Sequence, residues 1–238
     1  NADSLVFCWH PPALDTNRGA GQLIEALRNS LEVCRVRRAA LVFLSGEQVF
    51  WGCTESVGTA ITESSDPLPA GAAGDALSLC ETLIKYYERR HGLRTLVIRP
   101  SRIYGAIDQH PSMLKTFIRK AFAGEDIVTH CYANGPALLD LIHIRDVACA
   151  VRLALIQKMT GVLHLVSGKS VATDDLARMI VRLAGSASNV CSIDLPVKHP
   201  FIPLQSSFAE PVLGWTPTVD LETGIIDLLS QFSRISKS

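Results

Sequence analysis

The chain has 238 residues, 47% hydrophobic and 19% charged, which excludes a disordered polypeptide and allows one large domain or two lobes. Lys and Arg (23) balance Asp and Glu (23), so no net charge draws the protein to nucleic acid or an anionic membrane, and neither is expected as a partner. No apolar run approaches bilayer length; the longest candidate, "LVFLS", is strand-sized.

"NADSLVFCWHPP" opens almost directly on a buried strand, "SLVFCW", with no initiator Met, signal peptide or transit-like segment, so the chain is expected to begin inside a fold. "GAGQLIEALRNSLEVCRV" follows as a helix with Leu23, Ile24, Leu27, Leu31 and Cys34 on one face. "AALVFLS" is a second strand, too uniformly apolar for a wet face, as in a parallel sheet covered on both sides. "PLPAGAAG" reads as a loop. The next helix runs through Leu77, Leu79, Cys80, Leu83, Ile84 and Tyr87 and closes at Gly92, and "RTLVIRP" is the third strand of this kind. Strand–helix–strand–helix–strand with short connections predicts an α/β fold with right-handed crossovers.

After Gly105 the spacing predicts a helix in "HPSMLKTFIRKAFAG", a strand in "DIVTHCYA", a loop in "NGPALLD", and "LIHI" leading into the helix "RDVACAVRLALIQ". "GVLHLVSG" is another buried strand. "TDDLARMIVRLAG" is a helix with Thr173 as N-cap and acids in its first turn. "VCSIDL" is a strand, "SFAEPVLGW" a short helical piece, and "LETGIIDLLSQFSRI" a last amphipathic helix. Cys8, Cys34, Cys53, Cys80, Cys131, Cys149 and Cys191 are scattered, odd in number and lack a CxxC pair. They predict reduced thiols, mostly small core residues, in an intracellular reducing compartment, with no metal site. Trp9, Trp51 and Trp215 read as packing residues.

Four stretches together resemble the extended short-chain dehydrogenase/reductase family, the NAD-dependent epimerases and dehydratases of nucleotide sugars: "LVFLSGEQVFWG", "YYERRHGLRTLVIRPSRIYG", "LDLIHIRDVACAVRLAL" and "VLGWTPTVDLETGI". The resemblance implies a Rossmann-type parallel sheet with a smaller C-terminal substrate lobe, and an active site between them. It places residues 1–104 in a partial dinucleotide-binding lobe and 105–238 in the substrate lobe, with about 140–168 returning to the sheet. The resemblance begins late: two β-α units of about 30 residues each, the first strands among them, precede the equivalent of "SLVFCW" in the family. The glycine-rich phosphate turn belongs to that segment. Gly19 and Gly21 are followed by Ile24, and Gly71 and Gly74 by Leu77, so neither pair completes the fingerprint. NAD or NADP is therefore expected to be held, if at all, through residues outside this chain.

The family's catalytic Tyr and Lys, one helical turn apart, fall on Ala73 and Leu77, counted back from Glu81, and no Tyr-x-x-x-Lys occurs anywhere in the chain. The family Ser/Thr falls on Glu47, a loop glutamate or a replacement acid; Asp75, on the lost pair's helix, is a second candidate substitute. His10, Ser45, Arg99 and Pro100 are candidate cofactor contacts. Arg102, in place of a family Asn, is a candidate substrate-phosphate ligand or a plain surface charge. Asp146 reads as an N-terminal cap, and His143 as a satisfied core histidine.

Two functions of different class follow from the resemblance. The first is a pseudoenzyme, a structural or regulatory accessory subunit held by other protein subunits, with the edge left by the absent strands as the expected contact. A tight homodimer through the helices that contain Leu27 and Cys80 is not expected, because Gln22, Glu25, Arg28, Asn29, Lys85, Glu88 and Arg89 face outward. The alternative is an active epimerase, dehydratase or reductase with relocated acid/base residues.

Overall fold

The computed structural model describes residues 3–53, 61–105, 112–197 and 204–235. In chain order the first elements are β1 (Ser4–Phe7), α1 (Asn17–Arg37), β2 (Ala40–Leu44), a 3-10 turn (Glu47–Phe50), α2 (Ala72–His91), β3 (Thr95–Pro100), β4 (Arg102–Tyr104) and α3 (Met113–Ala123). There follow β5 (Ile127–Tyr132), β6 (Gly135–Pro136), β7 (Leu138–His143), α4 (Ile144–Ile156), β8 (Gly161–Leu165), β9 (Ser170–Ala172), α5 (Thr173–Ala184), β10 (Val190–Leu195) and α6 (Leu221–Ile235). The chain divides into two compact units. Unit 1 comprises Asn1–Ser101, Ala148–Val166 and Ile202–Thr216, and unit 2 comprises Arg102–Val147, Ser167–Phe201 and Pro217–Ser238.

Unit 1 carries the parallel sheet β1-β2-β3-β8. The inner strands β2 and β3 are short apolar runs that bury both faces, the pattern expected of a parallel sheet, while β1 at the end of the order leaves Val6 exposed. α1 starts at Thr16, whose hydroxyl accepts the Gly19 N–H, and stops where Arg38 turns left-handed at φ 57°. Between these ends Leu23, Leu27, Leu31 and Cys34 recur every three or four residues and pack with Phe7, Leu41, Phe43 and Val97. α2 adds Leu77, Cys80, Ile84 and Tyr87 to the same core. Each buried Leu contributes on the order of 1.5–3 kcal/mol.

Unit 2 holds two three-stranded sheets, β4-β7-β9 and β10-β5-β6. Its core gathers Leu114, Phe117 and Ile118 from α3, Leu176 and Ile180 from α5, and Ile225 and Leu228 from α6.

Several local expectations are corrected. "NGPALLD" is not a loop: it forms β6 and opens β7, because Leu138 and Leu139 pair antiparallel with Ala172 and Val171. Thr173 is not the N-cap of α5. Ala172 takes that place, and the Thr173 N–H bonds the Ala137 carbonyl at 3.0 Å. "PLPAGAAG" gives way to α2 at Ala72. "SFAEPVLGW" is a run of hydrogen-bonded turns, closed by Val212 N–H to Phe208 O and Trp215 N–H to Ala209 O, since Pro211 has no N–H to extend a helix. Only Cys34 and Cys80 are buried; Cys8, Cys149 and Cys191 are exposed, beyond β1, on α4 and on β10. Trp215 is buried as expected, but Trp9 is 48% exposed, having left the sheet after Phe7. Residues 110 and 111 of the expected α3 segment lie outside the described residues. Among the described residues no helix is long and apolar enough to cross a membrane.

Candidate functional site

Parallel α/β sheets bind ligands beyond the carboxyl ends of their strands. In unit 1 that edge is set by a buried polar network. Ser45, just past β2, donates its hydroxyl to Glu81 Oε1 at 2.7 Å. Arg99, near the end of β3, grips the same carboxylate with Nε at 3.1 Å and Nη2 at 2.7 Å. Arg99 and Glu81 are only 1% and 2% exposed. The guanidinium also lies 5.0 Å from the centre of the Phe50 ring. Pro100, the last residue of β3, is buried opposite Leu165.

The network continues through His164 on β8, which is fully buried. Its Nδ1 lies 3.0 Å from the Gln205 carbonyl, which accepts only, so Nδ1 carries the hydrogen and Nε2 faces Arg99 Nη1 at 3.5 Å as the acceptor. Burial lowers the His164 pKa against the pull of Glu63. Glu63 accepts from the His164 backbone N–H, the Ser206 hydroxyl and the Ser207 N–H. Burial alone would raise its pKa; the N–H groups of Ser207 and His164 outweigh burial and lower it.

The expected triad positions lie beside this network. Glu47 opens the 3-10 turn and is half-buried. That turn touches the start of α2 closely: a Cβ on Gly74 would stand 2.4 Å from the Gln48 carbonyl oxygen. Ala73 is half-buried in the first turn of α2, and Leu77, 1% exposed, is sealed in the core of unit 1. Asp75 is exposed and sits two residues, about 200°, around the helix from Ala73. Neither position 73 nor position 77 carries a proton-transfer group, and the next acid along this face, Glu81, is bonded to Ser45 and Arg99.

In unit 2 a cavity of about 270 Å³ is lined by Arg102, Tyr104, Gly105, Ser112, Lys115 and Leu141, among others, with no acid among the described residues of its wall. Arg102 is half-buried there. Ser112 caps α3 by accepting the Lys115 N–H, and burial lowers the Lys115 pKa. Tyr104 packs edge-on against His143, ring centres 5.1 Å apart. Burial, with Asp220 and Asp146 nearby, pushes the Tyr104 hydroxyl up to about 12. His143 is only partly satisfied: Nδ1 accepts the Arg145 N–H at 3.2 Å, but Nε2 and the Tyr104 hydroxyl have no partner among the described residues. Gly105 is fixed as glycine twice over, by φ +112° and by a Cβ position 2.5 Å from His143 Nε2. Asp146 is not an N-cap: its carboxylate accepts from Thr218 N–H, Thr218 hydroxyl and Val219 N–H, bracketing the segment that leads into α6.

A sequence model of the NAD dependent epimerase/dehydratase family matches residues 17–165. The chain belongs to the NAD dependent epimerase/dehydratase family. It is 26% identical over 216 residues to UDP-glucuronate 4-epimerase 4 from Arabidopsis thaliana, an alignment covering 83% of this chain and 49% of that protein. The chain spans about half the length of the curated relatives it matches. The epimerase/dehydratase fold is shared with UDP-glucose 4-epimerase from Thermus thermophilus in complex with NAD, at TM-score 0.81 and 20% identity over 98% of this chain and 78% of that one. It is shared also with RMD from Pseudomonas aeruginosa complexed with NADPH, at TM-score 0.84 and 16% identity over 98% of this chain and 82% of that one.

The family is NAD(P)-dependent; of this chain's two glycine pairs, Gly19 and Gly74 each face protein backbone at close range. Gly19 is filled by the Ala13 backbone and its N–H is taken by Thr16, while Gly74 is filled by Gln48 and followed by the acid Asp75. Of the residues expected at the family's cofactor edge, the structure joins Ser45 and Arg99 to each other through Glu81. His10 stands apart from them, bonded to the Leu44 carbonyl. Sequence reasoning passed over His164 and Glu63. The signal was present in "TLVIRP": an arginine inside an otherwise apolar strand demands a buried counterion and further acceptors.

Proposed function

We propose that this epimerase/dehydratase-family chain is catalytically degenerate and serves as a structural or regulatory subunit of a larger assembly. The observation that carries the reading is the pair Ala73 and Leu77, one turn apart on α2, with Leu77 packed into the core where the family holds a lysine. General acid–base groups contribute about 10²–10⁴ in rate, and members of one catalytic unit fail together. The relatives named for UDP-sugars make nucleotide sugars the substrate class to test. Incubation with UDP-, GDP- and dTDP-sugars plus NAD(H) or NADP(H), followed by product analysis, is expected to give no product. The second reading is an active enzyme with relocated groups, favoured by the half-buried Glu47 beside the first turn of α2. Turnover abolished by Glu47→Gln or Asp75→Asn would establish it and defeat the first.

A further inference from the structure

At the carboxyl edge of unit 1, Ser45 and Arg99 are bonded to Glu81, while His10 keeps one ring nitrogen without a described partner. His10 lies three residues beyond β1, and its Nε2 is 3.0 Å from the carbonyl oxygen of Leu44, the last residue of β2. A carbonyl only accepts, so Nε2 carries the hydrogen. Burial, partly offset by that bond, keeps the ring neutral by lowering its pKa. Nδ1 is then a bare lone pair. No described residue donates to it, and it is not among the buried atoms cut off from solvent. The side chain is half-buried, so the ring is held while one nitrogen stays open.

The neighbours at this edge do not satisfy it. The Ser45 hydroxyl is committed to Glu81, and the Leu44 carbonyl already receives Nε2. An unprotonated imidazole nitrogen accepts from O–H or N–H groups and is repelled by phosphate oxygens, which are acceptors too. Its position beyond parallel strands β1 and β2 is where such sheets receive ligands.

We infer that His10 is a ligand-contact residue whose Nδ1 accepts a hydrogen bond from a sugar hydroxyl. This deepens the proposed function and rests on the chain having kept a nucleotide-sugar fold while losing proton transfer. The hydroxyl has two sources, the hexose of a nucleotide sugar or a dinucleotide ribose, which UDP-glucose and NAD⁺ as separate probes tell apart.

Long-range ¹H–¹⁵N spectra of the ¹⁵N-histidine-labelled chain, with His10 assigned by its loss in His10→Ala, read the tautomer and the hydrogen bond directly. The free chain is expected to show His10 protonated at Nε2 alone. UDP-glucose should shift the Nδ1 resonance saturably, and His10→Ala should bind it about tenfold more weakly, the worth of one hydrogen bond. UDP alone should bind both forms equally. His10→Gln, which keeps a donor for Leu44, controls for a loosened β1–β2 edge and should also bind UDP-glucose more weakly. A response to NAD⁺ instead assigns the hydroxyl to ribose. The inference is overturned by a free chain protonated at Nδ1, or by a His10 resonance unmoved by millimolar concentrations of either probe. Product formation from UDP-glucose would refute the degenerate reading and leave the His10 readout standing. A silent His10 would do the reverse.

Discussion

Arg99 and Glu81 form a two-pronged ion pair sealed inside unit 1, with Nη2 2.7 Å and Nε 3.1 Å from the two carboxylate oxygens. It joins β3 to α2 below the edge where ligands of such sheets bind. Removing one partner strands the other charge in the core. Arg99→Leu should therefore cost about 3–5 kcal/mol, and the double variant Arg99→Leu with Glu81→Leu should recover part of that loss. Urea unfolding of the three proteins measures both numbers; a single variant within error of the parent would contradict the described burial.

His164 links stability to pH. Its pKa in the fold lies below the ordinary 6.5, so in the window beneath 6.5 the unfolded chain binds more protons than the folded one. Stability is full above that window and is lost as pH falls through it. His10 and His143 are shifted the same way, and Glu63, held below its ordinary 4.5, adds a second loss further into acid. Melting temperature should drop between about pH 7 and 5.5, and His164→Asn should flatten that drop without abolishing it. An unchanged slope in the variant would remove His164 from the account.

Restoring the family residues is not expected to restore catalysis. Leu77 is 1% exposed among apolar neighbours. A lysine there buries an unpaired ammonium, and Ala73→Tyr with Leu77→Lys should lose about 4 kcal/mol of stability and gain no nucleotide-sugar turnover. Calorimetry and product analysis on the same preparation check both parts.

Asp146 holds Thr218 and Val219 by three hydrogen bonds inside unit 2. Asp146→Ala leaves two backbone donors without their acceptor and should destabilise by about 2–3 kcal/mol, with Asp146→Asn losing less. Hydrogen exchange should show the loss concentrated at Thr218, Val219 and the start of α6. Uniform exchange across the chain would argue against a local bracket.

The outer faces of α1 and α2 bear on association. The structure exposes Val33, Val36, Leu79 and Tyr86 there, beside the charged residues read from the sequence and the Glu32–Arg35 ion pair. We propose that this mixed surface does not support a tight homodimer. Light scattering at micromolar concentration should report no dimer that the charge reversals Arg28→Glu and Arg89→Glu dissociate.

The α/β class, the four apolar strands of unit 1 and the long helices were legible in the sequence, because local spacing and uniform apolarity dictate them. Leu23, Leu27 and Leu31 read as one helix face before any neighbour is known, and "LVFL" reads as a strand buried on both sides. The absence of Tyr-x-x-x-Lys is likewise a property of the chain alone. Partners distant in sequence were not legible. Glu81, Arg99, His164, Glu63 and Ser207 come from five separate segments, and nothing in the spacing of one names the next. Asp146 read as a cap because its own helix was the only context in view; Thr218 and Val219 lie 72 and 73 residues away. "NGPALLD" read as a loop because Asn, Gly and Pro favour turns locally, and only pairing with β9 made it a strand. The open nitrogen of His10 is of the same kind: the sequence placed a histidine after a strand, and the carbonyl of Leu44, brought alongside by the parallel sheet, decided which of its nitrogens is left free.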